Sequence, residues 1–129
     1  MGVICGKDKN MKKKNNIAKS LAIFEEKEVR RTWHNEQWYF SVIDVTAVLS
    51  GSQNPRRYWS DLKIKLASEG YSQLYEEIVQ LKLASTDGKF YETDTTHLQG
   101  IFRIIQSIPS SKAEPFKLWL AKIGQERIE

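Results

Sequence analysis

The sequence predicts an α+β fold: two β-hairpins packed with about four helices, two of which form a helix-turn-helix-like pair. Three observations predict it. Residues Arg31–Trp33 and Trp38–Phe40 alternate around the polar turn His34-Asn35-Glu36-Gln37, and Ile78–Leu83 and Phe90–Thr93 bracket Ser85-Thr86-Asp87-Gly88-Lys89, the pattern of two antiparallel hairpins. Apolar residues recur at helical spacing after Ser41, Asn54, Asp94 and Ser111. The runs come in the order β-β-α-α-β-β-α-α, so strands and helices are expected to segregate and not to form βαβ units.

Length and composition narrow the class. At 129 residues with 40% hydrophobic content, the chain suits a single domain with one core. Residues 1–19 form a basic tail expected to be disordered, and residues 20–129 form the folded domain. The formal charge of +4 is unevenly spread: residues 1–21 hold six lysines and one acid, and residues 22–129 hold 14 bases and 15 acids. The lysines Lys12, Lys13 and Lys14 of the tail are candidate accessory contacts to phosphate, but the domain itself is nearly neutral, so only a local basic patch can argue for nucleic acid. No apolar run approaches the ~18 residues of a membrane span, and the N-terminus lacks the apolar core of a signal peptide. A cytoplasmic protein without a membrane partner is expected. Cys5, the single cysteine, has no partner for an intramolecular disulfide.

Each element has a local reason. Val42, Val45, Val48 and Leu49 share one face of a short helix from Val42 to Leu49, and Ser50-Gly51-Ser52-Gln53-Asn54 breaks it. Asn54 is an N-cap type and Pro55 fits the first helical position, so a second helix starts there and ends at Glu69-Gly70. Gln73–Glu77 has room for a short helix. Asp94-Thr95-Thr96 is expected to cap a helix over Thr95–Ile108, with Leu98, Ile101, Phe102, Ile104 and Ile105 inward. Pro109-Ser110-Ser111 breaks that helix, and a last one is expected over Lys112–Ile128. Trp33, Trp38 and Phe40 are expected to cover one side of the core. The charged run Glu25, Glu26, Glu28, Arg30, Arg31 is expected to be a solvated face or a protected sheet edge.

The helix from Pro55 carries the strongest functional signal. Tyr58, Trp59, Leu62 and Leu66 recur at three- and four-residue spacing and should face the core, leaving Arg56, Arg57, Lys63 and Lys65 against one acid, Asp61. Arg56, Ser60 and Lys63 fall on another face. Arginine can pair with phosphate or bind a guanine edge through two hydrogen bonds, and lysine can anchor the backbone. Asn54, Arg56, Arg57, Ser60, Lys63 and Lys65 are therefore the candidate nucleic-acid-binding residues. A solvent-facing charged side of an amphipathic helix is the plainer reading of the same residues.

Catalytic constellations are missing from the sequence. His34 and His97 lie far apart without metal-ligand spacing, and there is no glycine-rich phosphate loop or nucleophile elbow. Asp44, Asp61, Asp87, Glu92 and Asp94 read as capping, turn and solvated carboxylates. No catalytic residue, metal or cofactor is assigned, and the expectation is that the protein is not an enzyme.

Four stretches in order resemble the BRO family N-terminal domain. Trp38-Tyr39-Phe40-Ser41-Val42 with Ile43-Asp44-Val45 is similar to its W-F-x-x-x-D-V opening, and Asn54-Pro55-Arg56-Arg57 with Trp59, Leu62-Lys63 and Glu69-Gly70 to its next segment. Thr93, Thr96, Leu98, Gly100, Ile101, Arg103 and Ile104-Ile105 resemble its T-E-x-G-L-Y-R-L-I helix, and Ala113, Phe116-Lys117 and Trp119 its S-x-x-x-A-x-x-F-K-x-W-V ending. His97-Leu98-Gln99-Gly100 departs from the pattern, since relatives carry an acid before the glycine. The resemblance spans about residues 22–125. It implies a DNA-binding module of a prophage or antirepressor-type transcriptional regulator. A repressor or other regulatory protein is the alternative partner, bound without DNA contact, and a homodimer through the apolar last helix would serve a symmetric site.

Overall fold

The computed structural model describes residues 21–70 and 72–126. Five strands form one antiparallel sheet: β1 (Leu21–Phe24), β2 (Lys27–His34), β3 (Gln37–Ser41), β4 (Val79–Ala84) and β5 (Phe90–His97), in the spatial order β1-β2-β3-β5-β4. Among the described residues five helices accompany it: α1 (Val42–Ser50), α2 (Pro55–Ser68), α3 (Ser72–Glu77), α4 (Leu98–Gln106) and α5 (Ala113–Gly124). The α+β class, both predicted hairpins and the helix pair are present. The lysines Lys12, Lys13 and Lys14 and the basic tail lie outside the described residues.

The turns explain the meander β1-β2-β3. Glu25 and Glu26 have φ of 47° and 68°, and Asn35 and Glu36 have 49° and 63°. Two consecutive left-handed residues make the tight turn whose twist matches that of the flanking strands. The register follows: Phe24 faces Lys27, His34 faces Gln37, and Trp33 faces Trp38. The Glu25-Glu26 turn pairs the strand-like run Leu21–Phe24, as β1, with β2 ahead of the expected hairpin. Without a glycine or Asn-Gly pair, that turn carried no sequence signal.

Two features of the charged run differ from expectation. Glu25, Glu26 and Glu28 are exposed, but Arg31 is only 3% exposed. Its guanidinium lies 3.9 Å from the Trp38 ring centre, donates to Ile123 O at 2.9 Å and meets Glu126 at 2.7 Å. Arg31 shares a sheet face with Val29 and Trp33, so strand alternation sends it inward, and the carbonyl end of α5 supplies the acceptors that a buried cation needs. Arg30, on the other face, pairs with Asp44 through Nε to Oδ2 at 2.8 Å and Nη2 to Oδ1 at 3.0 Å. It also donates to Ala84 O at 3.1 Å, so the sheet curls until the end of β4 approaches β2.

The core lies on the face carrying Ala22, Phe24, Val29, Trp38 and Phe40, covered by Val42, Val45 and Val48 of α1, Ile101, Ile104 and Ile105 of α4, and Phe116 and Leu120 of α5. Trp33 packs against its edge, so the three aromatics do share one side. Phe24 meets Phe116 edge-on at 5.1 Å and Trp119 at 5.4 Å, fixing α5 to β1.

The expected start of α4 is corrected. Thr95 and Thr96 are strand residues opposite Ser41 and Phe40, and β5 runs on to His97. β-branched threonines suit a pleated strand, and their hydroxyls donate to Val79 O at 2.7 Å and Glu77 O at 3.0 Å instead of capping a helix. The cap is His97, whose Nδ1 accepts from Gly100 N at 3.2 Å. Helix α5 closes at Gly124, short of the expected Ile128.

Candidate nucleic-acid interface

Helix α1 begins at Ser41, whose hydroxyl accepts from Asp44 N at 3.3 Å, and ends at Gly51 with φ of 66°, where the Gly51 N–H donates to Ala47 O. Only a residue tolerant of left-handed backbone closes the helix this way at little cost. The turn is held by its own hydroxyls: Ser52 N donates to Ser50 Oγ and Asn54 N to Ser52 Oγ, each at 3.1 Å. Asn54 Oδ1 then accepts from Arg57 N at 3.2 Å, so Asn54 is the N-cap and Pro55 the first residue of α2. Its side-chain oxygen is thereby engaged with the helix. The second helix packs on α1.

Successive residues of a helix turn by about 100°, so the buried positions of α2 define its outward crest. Trp59, Leu62 and Leu66 are buried, as expected. Opposite them lie Arg57, Ile64 and Ser68, with Ser60 and Asp61 beside them, all exposed. Arg56 and Lys63 form one flank and Lys65 the other. The sequence reading omitted Ile64, which falls off the 59/62/66 stripe and is 67% exposed.

The flank with Arg56 and Lys63 turns toward the β4–β5 hairpin. Asp94 of β5 accepts from Trp59 Nε1 at 2.9 Å, from Lys63 Nζ at 2.9 Å and from Gln80 Nε2 at 3.2 Å. Burial alone would raise the Asp94 pKa, but these donors and the lysine charge outweigh it and hold the carboxyl below its ordinary value. Lys63 also sits 5.5 Å from the Trp59 ring centre. One turn before Trp59, Arg56 lines an open cleft of about 360 Å³ with Glu28, Arg30, Asp44 and the hairpin residues Ala84, Ser85 and Thr86.

The arginines divide cleanly. Arg30, Arg31 and Arg103 each meet a carboxylate, whereas Arg56 and Arg57 meet none among the described residues. Of the candidates, then, Arg56, Arg57, Ser60 and Lys65 are exposed on α2, Lys63 is half-buried and paired, and Asn54 caps the helix.

The hairpin adds two side chains that sequence reasoning assigned only to a return strand. Phe90 is 64% and Tyr91 48% exposed, beside a turn in which Tyr91 Oη donates to Asp87. That bond raises the Tyr91 pKa and lowers that of Asp87.

Among the described residues no helix is long and apolar enough to cross a membrane. No curated protein and no solved structure matches the chain. A family model described as the BRO family, N-terminal domain, matches residues 28–126, and the chain belongs to that family.

Proposed function

We propose that this domain is the non-enzymatic DNA-binding module of a prophage or antirepressor-type transcriptional regulator, with α2 as the contacting helix. The observation that carries the reading is the pair Arg56 and Arg57: two adjacent guanidinium groups, exposed on the second helix of a helix-turn-helix-like pair and ion-paired with no carboxylate among the described residues. Family membership supports it. Arg57 and Lys65 lie on or beside the outward crest, and Arg56 stands at the cleft shared with the hairpin. Lys63 contributes by holding α2 against β5, and the lysines Lys12, Lys13 and Lys14 add sequence-independent attraction to phosphate.

Duplex binding followed by fluorescence anisotropy across a salt series tests the assignment. Neutralised phosphates make log affinity fall with log salt, and each phosphate contact removed lowers the slope by about one unit. The Arg56→Ala, Arg57→Ala double variant is expected to lose at least tenfold in affinity at low salt and about two units of slope if both residues meet phosphate. Unchanged binding overturns the contact assignment. Incubating the wild type and duplex with Mg²⁺ or Mn²⁺ tests the non-enzymatic part, where strand cleavage would refute it.

A protein-docking role is the second reading, favoured by the exposed aromatics Phe90 and Tyr91 and by Leu118, which is 75% exposed on α5. The same α5 surface is where a homodimer would form. Capture of a regulatory protein that survives nuclease treatment, with no salt-sensitive duplex binding, would select this reading.

A further inference from the structure

Ile64 breaks the amphipathic pattern of α2. The buried apolar residues of this helix point to the core, Tyr58 is half-buried, and Ile64 is 67% exposed on the far side. It follows Arg57 by seven residues, which places the two within about 20° on the crest and roughly 10 Å apart along the axis. Its neighbours on that crest are short: Ser60 and Asp61 one turn before, Ala67 and Ser68 one turn after, all exposed. A branched apolar side chain among short neighbours, of which Asp61 alone is charged, meets a partner only if the helix backbone comes close to it.

We infer that Ile64 is a base-reading residue that packs on the C5-methyl group of a thymine in the major groove. The inference rests on the DNA-binding reading and deepens it by naming what the helix reads. Thymine presents the one apolar group on the groove floor of natural base pairs, and small apolar side chains recognise it by contact. The crest matches such a surface in both its parts. Arg57 carries the charge that a phosphate-lined groove attracts, and Ile64 supplies the apolar contact at a position where solvated charge would be the ordinary choice. A helix lying along the groove uses residues well beyond its first turn, so a position in the third turn is within reach of base edges.

The experiment begins with selection of a preferred duplex from a random-sequence pool by the full chain. Each thymine of the selected duplex is then replaced in turn by uracil, which removes the methyl group and keeps the hydrogen-bonding pattern. One position is expected to weaken wild-type binding about fourfold, the scale of one buried methyl. Ile64→Ala should bind the thymine and uracil duplexes equally, and Ile64→Val should keep part of the preference. Ile64 is exposed, so neither variant is expected to unfold, and thermal melting checks this. Uracil discrimination that is absent, or that persists in Ile64→Ala, overturns the inference while leaving DNA binding intact. Failure to bind any duplex in a salt-sensitive way overturns the DNA reading and this inference with it.

Discussion

A lysine that already has a carboxylate is a poor phosphate ligand, and Lys63 has Asp94 at 2.9 Å. The expectation is a division of labour between two cations on one helix. Lys63→Ala should cost about 1 kcal/mol of stability by removing a partner from a part-buried carboxylate, and should weaken duplex binding less than Arg57→Ala does. Urea denaturation and anisotropy on the same variants check both halves. Asp94 itself sets a pH dependence. Its carboxyl is held below the ordinary value near 3.9, so its contribution is complete above that pH and is lost as pH falls through the lower folded value. Asp94→Asn should therefore be less stable than wild type at neutral pH, with the gap closing in urea titrations toward pH 2. From the sequence Asp94 looked like a capping residue, and nothing local shows otherwise. Its partners are Trp59, Lys63 and Gln80, and two of them are brought to it only by the packing of α2 on β5.

At the scale of elements, the joint between β5 and α4 is the most tightly specified. A Cβ on Gly100 would stand 2.1 Å from Thr96 Oγ1 and 2.9 Å from its Cγ2. Thr96 is fully buried and donates to Glu77 O, so it cannot swing away without orphaning that carbonyl. Gly100→Ala is expected to destabilise by about 1–3 kcal/mol through overpacking, whereas alanine is normally the better helix former. Thermal melting of the variant is the check, and an unchanged midpoint would show that the joint yields. Elements with strong local signals were legible: the Asn54-Pro55 start of α2, the Gly51 stop of α1 and the Ser85–Lys89 turn all stand where their residue types put them. The joint was not, because Asp94-Thr95-Thr96 suits a helix cap and a strand end equally, and the choice was made by ladder partners on β3. Arg31 was misjudged for the same reason: the acceptors that make its burial tolerable come from α5, far along the chain.

For the molecule as a whole, charge and contact surface are separable. The described domain contributes little net charge, and the lysines before residue 22 give the chain its pI of about 9.2. Deleting residues 1–19 should lower the salt slope of duplex binding by up to about 0.9 per lysine lost, and, on the proposed reading that α2 contacts the bases, should leave the ranking of duplex sequences unchanged. Stopped-flow or anisotropy titrations on both chains check this, and a changed ranking would give the tail a share in recognition. The candidate site was only half legible at this scale. The basic helix was plain in the sequence, but the cleft that joins Arg56 to Ala84, Ser85 and Thr86 exists only because the sheet curls β4 back toward β2.

The strand order has a kinetic consequence. Every ladder in the sheet joins sequence neighbours except β3 with β5, where only Tyr39, Phe40 and Ser41 meet His97, Thr96 and Thr95. Tight turns close the local hairpins within microseconds, whereas this seam must first enclose α1, α2, α3 and β4 and bear the entropy of a long loop. Phe40 and Thr96 are therefore expected to come together in the step that limits folding, and stopped-flow refolding of Phe40→Leu and Thr96→Ser, slowed more than variants at the hairpin tips, checks this. The same closure sets α2 against Asp94. The surface proposed for binding is therefore complete only once that seam has closed, and competence to bind is expected to appear no faster than the six residues find one another.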